Sequence, residues 1–182
     1  YDAFKHAAPA MSDAYVTLAW MKYIDSRILF YDGIYPQGFH IYLATLGKFS
    51  AIDPLYILRY TGPFNGVLIT FGLYFVLSHI TGSRLAGAAA ASVYGIFGLY
   101  LATDWERQAA TNSQEFGFVF VMPVIYFYYR YMKDSKEEHF YTAAAGTAVV
   151  GLVHQMAFAF TGAGMGCVIV AGAMSGLKAN LK

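Results

Sequence analysis

The chain has 182 residues, of which 58% are hydrophobic and only 13% charged, with a mean hydropathy of +0.44. A soluble domain carries about a quarter charged residues, so this composition argues for a membrane class. A net charge of +1 argues against a nucleic-acid partner, and one cysteine, Cys167 in an apolar run, excludes a disulfide framework or a cysteine-ligated metal site. Aromatic residues make up 18% of the chain, with 16 Tyr against 2 Trp, which suits a protein with much of its surface at a membrane interface. The chain opens on Tyr1 without a signal-peptide pattern, so we expect a piece of a longer multi-spanning protein.

Residues 1–56 contain no apolar run of span length. Over 11–29 the apolar residues Met11, Ala14, Leu18, Met21, Ile24 and Ile28 recur every three or four positions, with Asp13, Thr17, Asp25 and Arg27 mainly off that stripe. This spacing predicts an amphipathic helix lying along the membrane surface. Residues 31–36 read as a turn-rich loop, and 39–49 as a second short amphipathic helix. Asp53-Pro54 then opens the first of four or five candidate spans, each needing about 20 apolar residues. These fall at 57–79, 84–103 and 116–132, followed by 141–177, which is too long for one helix and should break near His154-Gln155. The fold expected is all-α: an outer region over 1–56 with surface-lying helices, then a transmembrane helical bundle over 57–182.

Charge placement orients this arrangement. Arg84, Arg130, Lys133, Lys136, Lys178 and Lys182 fall in short connections on one side, which should be cytoplasmic. The remaining basic residues are spread over the longer outer segments. Whatever the orientation, two crossings separate Asp13 from Asp104, and two more return the chain at His154. All three positions should share a face.

Asp104-Trp105-Glu106-Arg107 supplies two carboxylates, a guanidinium and an interfacial indole between two apolar runs. Taken alone, it also reads as a solvated loop that anchors helix ends at the headgroups. Asp13 reads equally as an N-cap, a role for which Ser12 competes. The segment Tyr35-Pro36-Gln37-Gly38-Phe39-His40 packs a rigid turn, a glycine and an ionisable ring together, and His40 is either a phosphate ligand or an ordinary interfacial histidine. Gly162-x-Gly164-x-Gly166 and Gly172-x-x-x-Gly176 lie in an apolar run and read as helix-packing glycines, as does the small-residue run 87–91. Residues 133–139 form a charged turn, and His6, His79 and His139 have no metal-ligand spacing.

The order of these features resembles the multi-spanning glycosyltransferases of the GT-C type, which include protein mannosyltransferases and oligosaccharyltransferase catalytic subunits. An aspartate opens a long outer loop, a Tyr-Pro-x-Gly-x-His segment follows, and an Asp-x-Glu sits in the next outer loop. The resemblance covers residues 11–116. It implies transfer of a sugar from a polyprenyl-phosphate donor to an acceptor on the extracytoplasmic face of the cell membrane. It matches Asp13 to the first-loop acidic residue, and Asp104 with Glu106 to the second-loop motif. Thr17 stands where the family string carries histidine, and Met11 and Tyr15 occupy the positions two residues from Asp13. A first-loop Asp-x-Asp metal pair is therefore absent.

Glycosyl transfer to a hydroxyl needs a carboxylate base and donors for the departing phosphate. Asp13 is the expected base, with Asp104 or Glu106 orienting the acceptor or holding a divalent cation (Mg or Mn). Arg107 is the expected phosphate partner, with His40 second and Tyr35 beside it as a substrate-binding residue. Membrane lipid and the polyprenyl-linked sugar are the implied partners. The alternative is a transporter or flippase for a lipid-linked or polar substrate, which should carry charge at broken helices near the midplane. A third reading is a non-catalytic membrane subunit that offers its amphipathic loop to a partner.

Overall fold

A computed structural model describes residues 9, 11–31, 33–96 and 110–174. The described residues form α-helices and no strand: α1 (Met11–Asp25), α2 (Gly38–Ser50), α3 (Pro54–Thr81), α4 (Arg84–Gly95), α5 (Ser113–Asp134), α6 (Glu137–Val153) and α7 (Gln155–Met174).

Local chemistry sets most of these boundaries. Asp53 accepts the Leu55 N–H at 2.8 Å while Pro54 occupies the first helical position, where no N–H is needed. Gly82, in the left-handed region, ends α3, and Ser83 caps α4 by accepting from the Ala86 N–H at 3.3 Å. Asn112 caps α5 by accepting the Glu115 N–H at 2.9 Å. The break expected near His154-Gln155 falls at His154, whose extended backbone separates α6 from α7.

The first helix begins at Met11, as the spacing predicts, but ends early. It stops at Asp25, short of Ile28, because Arg27 turns into the left-handed region. There the Arg27 N–H bonds the Ile24 carbonyl and the Ile28 N–H bonds the Tyr23 carbonyl, each at 2.9 Å, a Schellman closure without its usual glycine. Ile28 is thereby left exposed. At the other end Ser12 and Asp13 lie within the first turn, after the helix has begun at Met11. The apolar stripe expected to rest on the membrane surface packs on protein instead. Met21, flanked by Leu18 and Ile24, joins Phe39, Leu43 and Ala44 of α2, Ile57 and Leu58 of α3, and Val153 of α6 in one core cluster.

A second cluster of Val121, Val150 and Ala157 holds α5, α6 and α7 together. Close approach explains the glycines unevenly. A Cβ on Gly87 would collide with Ser78 of α3, and one on Gly164 with Ile125 of α5, whereas Gly162, Gly166 and Gly172 face open space. At the α5–α6 turn, Asp134 accepts from Arg130 at 3.2 Å and meets His139 Nδ1 at 2.9 Å. The charged turn is thus a small ion-paired cluster.

Among the described residues two helices, α3 with 28 residues and α7 with 20, are long and apolar enough to cross a membrane. Both expose large apolar side chains outward, including Phe64, Phe71 and Phe75 of α3 and Phe158, Ile169 and Val170 of α7. Within α3, Pro63 removes one backbone donor. One residue earlier, the Thr111 hydroxyl donates to the Leu58 carbonyl and accepts the Gly62 N–H at 2.7 Å. A side chain from the segment before α5 is thereby inserted across one turn of α3, which locks that segment onto the helix.

Candidate functional site

On α1 the positions Asp13, Val16, Thr17 and Trp20 fall at i, i+3, i+4 and i+7, so they share one helix face, distinct from the apolar stripe. That face forms one wall of a cavity of about 290 Å³. Tyr35 and His40 form a second wall, Asn112, Ser113 and Gln114 at the head of α5 a third, and His154 at the α6–α7 break closes it. The volume is at the small end of the range of roughly 300–1,000 Å³ for ligand pockets.

Each wall is fixed by identifiable contacts. The Tyr35 hydroxyl and Ser113 Oγ are hydrogen-bonded at 3.0 Å, tying the α1–α2 loop to the head of α5. The Trp20 ring meets Tyr35 edge-on at 5.3 Å between centroids and tilts over His40 at 4.6 Å. Gly38 allows α2 to approach the end of α6, since a Cβ there would lie 2.7 Å from the Leu152 carbonyl oxygen. The glycine of the Tyr-Pro-Gln-Gly-Phe-His segment thus has a packing reason, and it brings His40 next to His154.

The electrostatics follow from burial. His40 is only 4% exposed, and its pKa is pushed down to about 4, first by burial and then by the neighbouring His154. At neutral pH its ring is uncharged. Burial raises the Tyr35 pKa; the hydrogen bond with Ser113 opposes this and the Asp13 charge adds to it, so Tyr35 keeps its proton. Asp13 is exposed at the rim. Among the described lining residues, His40 Nδ1 and Asn112 Nδ2 are buried polar atoms with no hydrogen-bond partner. The Asn112 amide nitrogen is a donor, and the His40 nitrogen donates or accepts according to its tautomer.

Three of the residues singled out from sequence, Asp13, Tyr35 and His40, therefore meet at one cavity although 27 positions separate the first from the last. Asp104, Glu106 and Arg107 lie outside the described residues. The cavity is lined by residues shortly after them, at 112–114. Among the described lining residues Asp13 is the one carboxylate, and no Lys or Arg is present. No group of three His, Cys, Asp or Glu among the described residues stands close enough to hold a metal ion.

Sequence reasoning passed over several lining residues. Thr17 and Trp20 were legible from the helical period counted from Asp13. Ser113 and Gln114 follow Asn112, whose Asn-x-x-Glu spacing is a capping signature that locates the head of α5. Glu115, buried in the first turn of α5, follows these residues in sequence but does not line the cavity. No protein-family profile, curated protein or solved structure matches the chain.

Proposed function

We propose that this chain forms part of an integral-membrane glycosyltransferase that moves a sugar from a polyprenyl-phosphate donor to an acceptor hydroxyl on the extracytoplasmic face of the cell membrane. In this reading α4, α5 and α6 cross the membrane together with α3 and α7. The observation that carries it is the composition of the cavity. Its walls come from three stretches of chain, and among the described residues each successive pair is separated by two helices: α3 and α4, then α5 and α6. An even number of crossings returns the chain to the same face each time, which is what a lipid-facing active site built from outer loops requires.

The chemistry assigns each residue a role. The acceptor hydroxyl attacks the anomeric carbon and Asp13 takes its proton as the new C–O bond forms. The bond from that carbon to the donor phosphate oxygen breaks, and the polyprenyl phosphate leaves with the electron pair. Arg107 meets the developing phosphate charge, while Tyr35 and the neutral His40 offer hydrogen bonds rather than charge. Asp104 or Glu106 orients the acceptor or holds a divalent cation. Replacing Asp13 and, separately, Glu106 by alanine in the full-length protein should lower sugar transfer by about 10²–10⁴-fold at normal expression. Near-normal transfer by both variants would remove the assignment.

Two features favour a second reading, a transporter or flippase. Glu115 is a buried acidic residue, and the α6–α7 helix is broken at a histidine. Substrate uptake by liposomes containing the protein, without covalent product, would select this reading over transfer.

A further inference from the structure

Asn112 carries one polar group more than its place in the chain needs. Its side-chain oxygen caps α5 by accepting the Glu115 N–H at 2.9 Å, and its backbone carbonyl accepts the Phe116 N–H at 3.3 Å. Serine, threonine or aspartate would also cap the helix. Asparagine adds an amide N–H₂. That nitrogen is buried with no hydrogen-bond partner, on a residue only 7% exposed that lines the cavity. A buried donor without a partner costs free energy that capping alone does not return. The capping bond also assigns which end of the amide is oxygen, so the free end is the donor. Both neighbours hold the residue in place: Thr111 is inserted into α3, and Ser113 is bonded to Tyr35 at 3.0 Å.

We infer that Asn112 is a specificity-determining residue of this cavity, whose amide N–H₂ donates to a hydroxyl oxygen of the bound sugar while its side-chain oxygen holds the start of α5. The identity of the ligand rests on the proposed transfer function, and the donor on geometry alone. The rest of the lining favours a neutral hydroxyl over a phosphate oxygen. Among the described lining residues no Lys or Arg is present, and Asp13 is the one carboxylate, which repels an anion. His40 Nδ1, also buried without a partner, donates or accepts according to its tautomer. A hydroxyl can serve it either way, whereas an ionised phosphate oxygen can only accept.

Two substitutions separate the cap from the donor. Asn112→Ser keeps an oxygen for the Glu115 N–H and removes the amide nitrogen, whereas Asn112→Ala removes both. The variants are made in the full-length protein in nanodiscs. They are compared with wild type by thermal unfolding midpoint, by KM and kcat for sugar transfer, and by lipid binding. The probes are decaprenyl phosphate and its mannosyl and glucosyl forms. Binding is read from the ¹⁹F signal of 5-fluorotryptophan at Trp20, assigned by its loss in Trp20→Phe.

Stability and binding should then follow different orders. The serine variant should unfold near wild type and above the alanine variant, yet both should bind the sugar-bearing lipid about tenfold more weakly than wild type. The loss should appear in KM rather than kcat. Bare decaprenyl phosphate should bind all three proteins within about twofold. Binding that follows the cap, with serine near wild type, would overturn the inference and leave Asn112 as a cap only. An equal loss for the bare and the sugar-bearing lipid would also overturn it, because the contact would not then be to sugar. Failure of the transfer reading looks different. Wild type would transfer no sugar while the sugar-bearing lipid still bound in the predicted order, and the donor role would stand. A wild-type protein with neither transfer nor binding of a sugar-bearing lipid would overturn both.

Discussion

At the scale of single residues, the site depends on two side-chain environments that make opposite demands. His40 must be buried to pack under Trp20, and burial keeps it neutral. Unfolded, the ring takes up a proton below pH 6.5; folded, it does so only near pH 4. Between those values the unfolded state binds more protons, so stability falls as the pH drops through that window. The full shift corresponds to on the order of 3 kcal/mol. Thermal unfolding midpoints measured from pH 7 to 4 should decline, and His40→Gln should flatten the decline. Gly38 makes the second demand, for space. Gly38→Ala should cost about 1–3 kcal/mol because its Cβ would press on the Leu152 backbone carbonyl, which cannot swing aside as a side-chain tip can. Chemical denaturation in detergent would measure it.

At the scale of elements, the insertion of Thr111 into α3 connects the span to the site. Thr111 is buried, and its hydroxyl serves the Leu58 carbonyl and the Gly62 N–H at the turn before Pro63. Thr111→Val keeps the shape but strands two buried backbone groups, and should destabilise by about 1–3 kcal/mol, whereas Thr111→Ser should cost much less. Ser113 and Gln114 follow directly, so the valine variant should also weaken binding of decaprenyl phosphate to the full-length protein, read from the ¹⁹F signal of 5-fluorotryptophan at Trp20. This contact was not legible in the sequence, because threonine before an N-cap is unremarkable until a proline 48 positions earlier is known to lie beside it. The starts of α3 and α5 were written locally, in Asp53-Pro54 and in Asn112-x-x-Glu115. The end of α1 was not, because a non-glycine residue takes the left-handed position there and leaves no signal in composition.

At the scale of the whole molecule, hydropathy conveyed the all-α class and the break at His154, since both depend on the length of apolar runs. It could not convey which face of α1 meets the cavity. Asp13, Thr17 and Trp20 on one face and Ala14, Leu18 and Met21 on another are both helical series, and only the packing of α2 decides between them. Asp13 and His154 line one cavity although 141 positions separate them. Under the proposed function, Asp104 and Glu106 should complete the same site. The most direct test is the distance between spin labels at Val16, on the cavity wall, and Trp105, between the two carboxylates, in the full-length protein with native cysteines replaced. The account predicts a distribution centred well below the hydrocarbon thickness of about 30 Å. A separation of that thickness or more would put the acidic loop away from Asp13 and contradict a shared transfer site.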